Sequence, residues 1–292
     1  MFEEAQYFSP VNEDEHGRVT VRLARDHPGF ADPAYRERRD LIAGLAVGHR
    51  RGDPLPEVAY TEEEQEVWRL VSAELASRHR RYAAQEFLDA KDRLKLPADR
   101  VPQLQEVSDL LEPLTGFRYL PAAGLVPLRE FYGSLADGLF HSTQYLRHHS
   151  MPLYTPEPDV VHEVIGHANA LASDRFAALY RTAGEAARRV ESRQALEFVS
   201  RVFWFTLEFG VLLEGGELKA YGAGILSSYG EIEEFRAMDV LPLDIRAMGL
   251  TDYDITKYQT VLFRAESLSH LEDVAGGFWE TCDDDSIAAL GV

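Results

Sequence analysis

Apolar positions recur at helical spacing through most of the chain, between segments punctuated by proline and glycine. The first sixty residues are the exception, being polar and only weakly periodic. Within them Val19 to Leu23 predicts a short strand. Asp32 to Leu45 predicts a helix with Tyr35, Leu41, Ile42 and Leu45 on its apolar side. The signal sharpens at Thr61, which with Glu64 has the spacing of a capping box. Val67, Leu70, Val71 and Leu75 then fall on one helical face, in a helix expected to run past Tyr82. Leu104, Val107, Leu110 and Leu111 predict another helix, and residues 113–129 read as loop. Phe131 to Tyr145 predicts a helix, stopped by Pro152, Pro156 and Pro158. Further helices are expected from about Asp159, from Arg193 to Leu213, and near Glu266; residues 220–231 read as loop or short strand. No internal repeat or flexible linker is present. The expected fold is mainly α with a few short strands, one domain over 1–292, its first sixty residues an extended and helical segment.

Composition narrows the class. At 45% apolar and 27% charged residues the chain is globular, not disordered or collagen-like. A net charge of −19 argues against general affinity for nucleic acid or anionic membranes. Cys282 is the single cysteine, so no intrachain disulfide is possible and a reducing compartment fits. The opening MFEEAQYFSP is acidic and unlike a signal peptide, and no stretch approaches the ~20 apolar residues of a membrane span. A cytoplasmic protein without nucleic-acid or membrane partners is expected.

Three segments carry candidate chemistry. In PDVVHEVIGHANA, residues 158–170, His162, Glu163 and His167 stand close together. A zinc-protease motif would place the second histidine four residues after the first, where Gly166 stands. An ideal α-helix turns about 100° per residue, so a five-residue step leaves the rings roughly 140° apart. They converge only if the helix is locally over-wide, as at a π-bulge, or if His162 sits in the first turn. A metal site and a pair of hydrogen-bonded histidines both remain open on spacing alone. In VFWFTLEFGVLL, residues 202–213, Glu208 is the lone ionisable group. A carboxylate buried there needs an arginine, a proton or a metal. His162, His167 and Glu208 supply two imidazoles and a carboxylate, the ligand set of non-haem Fe(II) oxygenases. In residues 141–159, Arg147 can bind a substrate carboxylate in a fork, with Asp159 orienting it. His141, His148 and His149 add possible ligands that nothing local distinguishes. Walker, GxSxG and GxGxxG motifs are absent.

FHSTQYLRH, YTPEPDVVHEVIGH, FWFTLEFG and YGAGILSSYGE, in that order and spacing, resemble the pterin-dependent aromatic amino acid hydroxylases, and most of all their short bacterial phenylalanine hydroxylases. The resemblance is specific from about Gly116 to Glu231 and weaker over 26–39 and 265–268. It implies a mainly α catalytic domain, without the family's regulatory and tetramerisation segments, acting as a monomer. It puts the iron on His162, His167 and Glu208, and the substrate carboxylate on Arg147, held by Asp159. Thr155 would lie beside the amino acid, and Ser227 would bond a ligand histidine. Pro158, Trp204 and Phe209 would wall the aromatic pocket, with Gly224 at its edge. The tetrahydropterin would stack on Phe131, beside the loop Gly124, Leu125 and Val126, with Glu163 near the pterin and iron-bound waters. Phe203, counted with the pterin residues, stands where animal members often have tyrosine. Ala168–Asn169 and Pro127–Leu128 are further departures. Trp204, Ile255 and His141 imply phenylalanine as substrate, rather than tyrosine or tryptophan.

The implied reaction takes L-phenylalanine, O2 and a tetrahydropterin to L-tyrosine, with meta-hydroxylation of phenylalanine, or hydroxylation of tyrosine or tryptophan, as the alternatives inside the family. Outside it stand a zinc-dependent hydrolase with Glu163 as general base, and a non-catalytic protein with buried histidine pairs.

Overall fold

The computed structural model describes residues 10–255 and 257–291; most of the acidic opening segment lies outside them. Strands β1 (Val11–Glu13) and β2 (Val19–Val21) form an antiparallel hairpin. Helix α1 (Pro33–Gly48) follows, its first turn capped by the Asp32 carboxylate, which accepts from the N–H groups of Ala34 and Tyr35. Val21, Leu23 and Ala43 join hairpin and helix in a small apolar cluster of their own.

Helix α2 (Glu62–Tyr82) opens on the capping box of Thr61 and Glu64. It stops at Tyr82, short of the expectation. Ala83 turns extended and bridges Ala220, and the N–H of Ala84 donates to the Ala220 carbonyl at 2.8 Å. This pairing captures the chain before α3 (Gln85–Leu94). Helix α4 (Leu104–Thr115) ends at Gly116, whose φ of 75° suits a left-handed cap.

The region read as loop and then helix is rearranged. Residues 118–121 form β3 (Arg118–Pro121), parallel to β4 (Leu139–Ser142), and only α5 (Leu128–Leu135) between them is helical. Gly138 sits at φ 69° and its carbonyl accepts from Arg118, which ends the helix and starts the strand pairing. Tyr119 and Phe140 are thereby buried side by side.

Helix α6 (residues 160–171) carries the histidine segment, and α7 (Asp174–Arg189) follows under a Ser173 cap. Helix α8 (residues 193–208) ends before the expected Leu213. The rest of that apolar run becomes β5 (Val211–Glu214), central in a sheet of order β6-β5-β8-β7 with β6 (Glu217–Ala220), β7 (Asp239–Pro242) and β8 (Val261–Ala265). An uninterrupted apolar run suits a buried helix and a buried strand equally, so periodicity could not separate them. Residues 220–231, read as loop or short strand, contain the buried helix α9 (Ala223–Ser227). One continuous core runs from Val67 to Ile287. Among the described residues no helix is long and apolar enough to cross a membrane.

Candidate iron and substrate site

The backbone of α6 solves the five-residue problem. Residues His162–Ala168 are π-helical, with a hydrogen-bond step of five residues instead of four. That step brings His162 edge-on against His167, with their Nε2 atoms 3.0 Å apart. The last turn of α8, Trp204–Glu208, is π-helical as well and delivers Glu208 to the same point. Its carboxylate oxygens lie 3.2 Å from His167 Nε2 and 3.6 Å from His162 Nε2. Two donors at right angles, each about 2.1 Å from one ion, are roughly 3.0 Å apart. The three atoms therefore fit three neighbouring positions around a single divalent ion. Glu163 has a donor atom within 4.8 Å of both histidines. It is set a step further off, where its carboxylate accepts from the Thr143 hydroxyl at 3.4 Å.

The protonation pattern agrees with metal binding. The Ser227 hydroxyl donates to the Ala223 carbonyl at 2.8 Å, so at 2.9 Å it accepts from Nδ1–H of His162. The proton is then on Nδ1 and Nε2 is left as a donor for a metal. Burial, aided by neighbouring His167, pushes His162 down to about 4 and keeps the ring neutral. Burial alone would raise Glu208, but the two imidazoles outweigh it and hold the carboxyl below its ordinary value. Burial and the nearby Glu208 carry Glu163 well above its ordinary value. Helix α9, which brings Ser227, packs directly on α6. A Cβ at Gly166 would stand 2.8 Å from the Ala223 carbonyl oxygen, so glycine is what lets the two backbones touch.

These groups face a cavity of about 220 Å³. Arg147 lies at its wall, almost wholly buried. Its Nε and Nη2 each donate to Asp159 at 2.8 Å, and its backbone N–H donates to the same carboxylate at 2.9 Å. Asp159 therefore occupies one edge of the guanidinium and leaves the Nη1/Nη2 edge for a second carboxylate. Pro158, Trp204, Phe209, Gly224 and Ile255 supply apolar lining. Trp204 stacks on Tyr253 at 4.0 Å, and its indole N–H donates to Gln259 Oε1 at 3.0 Å. A Cβ at Gly224 would meet the Phe209 ring at 2.5 Å, so that glycine leaves room for the ring. Thr155, Ser227, His141, Gly124, Leu125, Val126, Phe131 and Glu163 complete the set that sequence and resemblance named.

One expectation is corrected. Phe203 does not line the cavity: it is fully buried behind Phe131, packed edge-on against Tyr132 and Tyr180. Its neighbour Trp204 takes the cavity face. His148 and His149 join Asp32 as a second cluster of possible ligands, away from the first. Both nitrogens of His148 are already engaged, Nδ1 accepting from the Ser150 N–H at 3.2 Å and Nε2 facing Asp32 at 3.2 Å. The ring thus works as a hydrogen-bonded brace for the start of α1.

Sequence reasoning missed several lining groups: Arg39, Thr143, Glu157, Glu231 and Lys257. Arg39 lies 3.3 Å over the Tyr145 ring and donates to Glu157 at 2.7 Å, bracing the TPEPD loop from a helix over a hundred residues away. Its only signal was the weak match over 26–39. Glu231 is buried beside Gln259, and burial lifts it to about 7.

The profile described as biopterin-dependent aromatic amino acid hydroxylase matches residues 14–284. The chain belongs to this family. It is 54% identical over 264 residues to phenylalanine 3-hydroxylase of Streptomyces coeruleorubidus, covering 90% of this chain and 95% of that one. It is 40% identical over 267 residues to the bovine phenylalanine-4-hydroxylase, covering 89% of this chain but 59% of the bovine protein, so it spans somewhat over half of that longer relative. Its fold matches phenylalanine hydroxylase of Chromobacterium violaceum, a structure with bound iron(III) and 7,8-dihydrobiopterin. The TM-score is 0.74 at 29% identity, covering 80% of this chain and 89% of that one. Membership removes the hydrolase and non-catalytic readings.

Proposed function

We propose that this chain is an iron- and tetrahydropterin-dependent monooxygenase that hydroxylates the ring of L-phenylalanine at its meta carbon. The observation that carries the enzymatic reading is the convergence of His162, His167 and Glu208 on a cavity that Arg147 also enters. The meta position is supported by the 54% identity to a phenylalanine 3-hydroxylase, against 40% to a 4-hydroxylase of similar coverage of this chain. The para product is the second reading, favoured by the matches to 4-hydroxylases. The rest of the proposal is one catalytic unit working as a cytoplasmic monomer.

Bound iron and reduced pterin would supply the activation of O2. The chain's residues do the rest. His162, His167 and Glu208 would hold the metal beside the cavity. Arg147 takes the amino acid's carboxylate on its free guanidinium edge, and Thr155 lies alongside. Pro158, Trp204 and Phe209 exclude water from the ring and limit its tilt, which is what selects the carbon presented. Phe131, with Gly124, Leu125 and Val126, offers an aromatic face and backbone groups to the pterin. Glu163 stands between the two subsites, buried, able to hold or release a proton on its carboxyl oxygen.

The test is a single anaerobic preparation loaded with Fe(II), given phenylalanine and tetrahydropterin, then O2, with tyrosine isomers separated by chromatography. meta-Tyrosine is expected. para-Tyrosine overturns the regiochemistry alone, and no isomer at all overturns the function.

A further inference from the structure

We infer that Tyr180 is the positioning residue for His167, and that helix α7 thereby takes part in the metal site without touching substrate or pterin. The inference rests on the metal reading above. Nε2 of His167 faces Glu208 and His162. An imidazole giving that lone pair to a metal carries its proton on Nδ1, and a buried Nδ1–H needs an acceptor. For His162 the acceptor is Ser227, on α9. For His167, which is 1% exposed, the partner at Nδ1 is the Tyr180 hydroxyl at 2.8 Å. Two hydroxyls from two different helices thus meet the Nδ1 atoms of the two histidines, and with a metal on Nε2 each accepts the Nδ1 proton.

Tyr180 is built to hold that oxygen still. Its side chain is fully buried. Its ring packs edge-on against Phe203 at 5.4 Å, Phe117 at 6.4 Å and Phe140 at 6.5 Å. Phe140 also packs on the His167 ring itself at 4.6 Å, so the imidazole is held from its face and from its Nδ1 edge together. A phenylalanine at 180 would keep every ring contact and lose only the acceptor. His167 would then favour the tautomer with the proton on Nε2, which cannot bind a metal, or would turn away from the triad.

The test is Tyr180→Phe, with Phe117→Leu as the packing control. Fe(II) affinity is measured by anaerobic competition with a chelator, and ligand geometry by the visible spectrum of the Co(II)-loaded protein. Tyr180→Phe should bind Fe(II) roughly 10- to 100-fold more weakly and alter the Co(II) bands, while the metal-free protein melts close to wild type. Phe117→Leu should lower the melting temperature and leave affinity and spectrum alone. Should Tyr180→Phe fold poorly, 3,5-difluorotyrosine at position 180 keeps the ring and weakens the oxygen as an acceptor, and should reduce affinity in the same direction. Wild-type affinity and spectrum in Tyr180→Phe, or in the fluorinated protein where that replaces it, overturn the inference. So does an equal loss in Phe117→Leu. Wild-type protein that binds no Fe(II) overturns the metal reading instead.

Discussion

Arg147→Ala should do two separable things. The first is structural. The change deletes the Nε and Nη2 donors, both 2.8 Å from a carboxylate with no solvent exposure. Asp159 keeps its bond from the backbone N–H of residue 147 and a long one of 3.4 Å from His162. Breaking one side of a buried pair costs about 3–5 kcal/mol. For a domain of this size that is about 6–20 °C in melting temperature. The second effect is functional. Loss of a charged hydrogen-bonded contact to the substrate carboxylate costs about 1.5–3 kcal/mol, or about 10- to 150-fold in kcat/KM for phenylalanine. The double variant Arg147→Ala, Asp159→Asn separates them. It removes the stranded charge, so it should regain much of the lost stability and none of the lost kcat/KM. The assays are thermal melting and steady-state kinetics at measured iron content. An unchanged kcat/KM would remove Arg147 from substrate binding. An unchanged melting temperature would refute the argument from a stranded buried charge.

Four further outcomes are expected. His162→Ala, His167→Ala and Glu208→Ala should each strip most of the iron while keeping the helical circular-dichroism signal; full iron occupancy in any two of them would sink the triad. Phe131→Ala should raise KM for tetrahydropterin more than KM for phenylalanine, by the about 0.5–1.5 kcal/mol of an aromatic contact, and equal rises would indicate a packing defect. In competition assays on mixed amino acids, wild type should prefer phenylalanine, Trp204→Phe should move activity toward tryptophan, and Ile255→Asp should move it away from phenylalanine. Glu231, lifted by burial to about 7, favours folding in its neutral form, so its contribution is present below about pH 4.5 and lost as pH rises through 7. Glu231→Gln should therefore gain on wild type between pH 4 and pH 8, on the order of 3 kcal/mol, and a constant difference in melting temperature across that range would refute it.

The candidate ligands were legible because each stood out chemically from its neighbours: two histidines beside a helix start, and one carboxylate in an apolar run. The capping box at Thr61 and the helix starting near Asp159 were legible for a similar reason, since local side chains alone determine them. What stayed hidden depends on partners remote in sequence. The end of α2 is fixed by Ala220, and β3 by a strand twenty residues on. Tyr180 looks like any core aromatic until its hydroxyl is seen at His167. Phe203 was misplaced because adjacent residues in a buried helix point to different sides, so its likeness to a pterin residue did not carry its orientation.

The π-helical turns of α6 and α8 tie these threads together. A regular α6 would point His162 and His167 roughly 140° apart, and the spacing alone would rightly have been read as unfit for one ion. An over-wide turn leaves the α-helical ladder out of step, so it persists only where surrounding structure determines it. Here that structure is identifiable: Gly166 admits the backbone of α9 against the widened turn, Ser227 and Tyr180 hold the two rings at Nδ1, and the Tyr119 hydroxyl donates to the Glu163 carbonyl at 2.7 Å within it. Glu208 reaches the same point from a second helix that widens only in its last turn, where the Phe209 N–H bonds the Trp204 carbonyl five residues back at 2.9 Å. A third π-helical turn, Glu272–Gly276, carries none of these groups, so a widened turn by itself does not mark a site. What sets the turns of α6 and α8 apart is that together they bring three donor groups to within 3.0, 3.2 and 3.6 Å of one another.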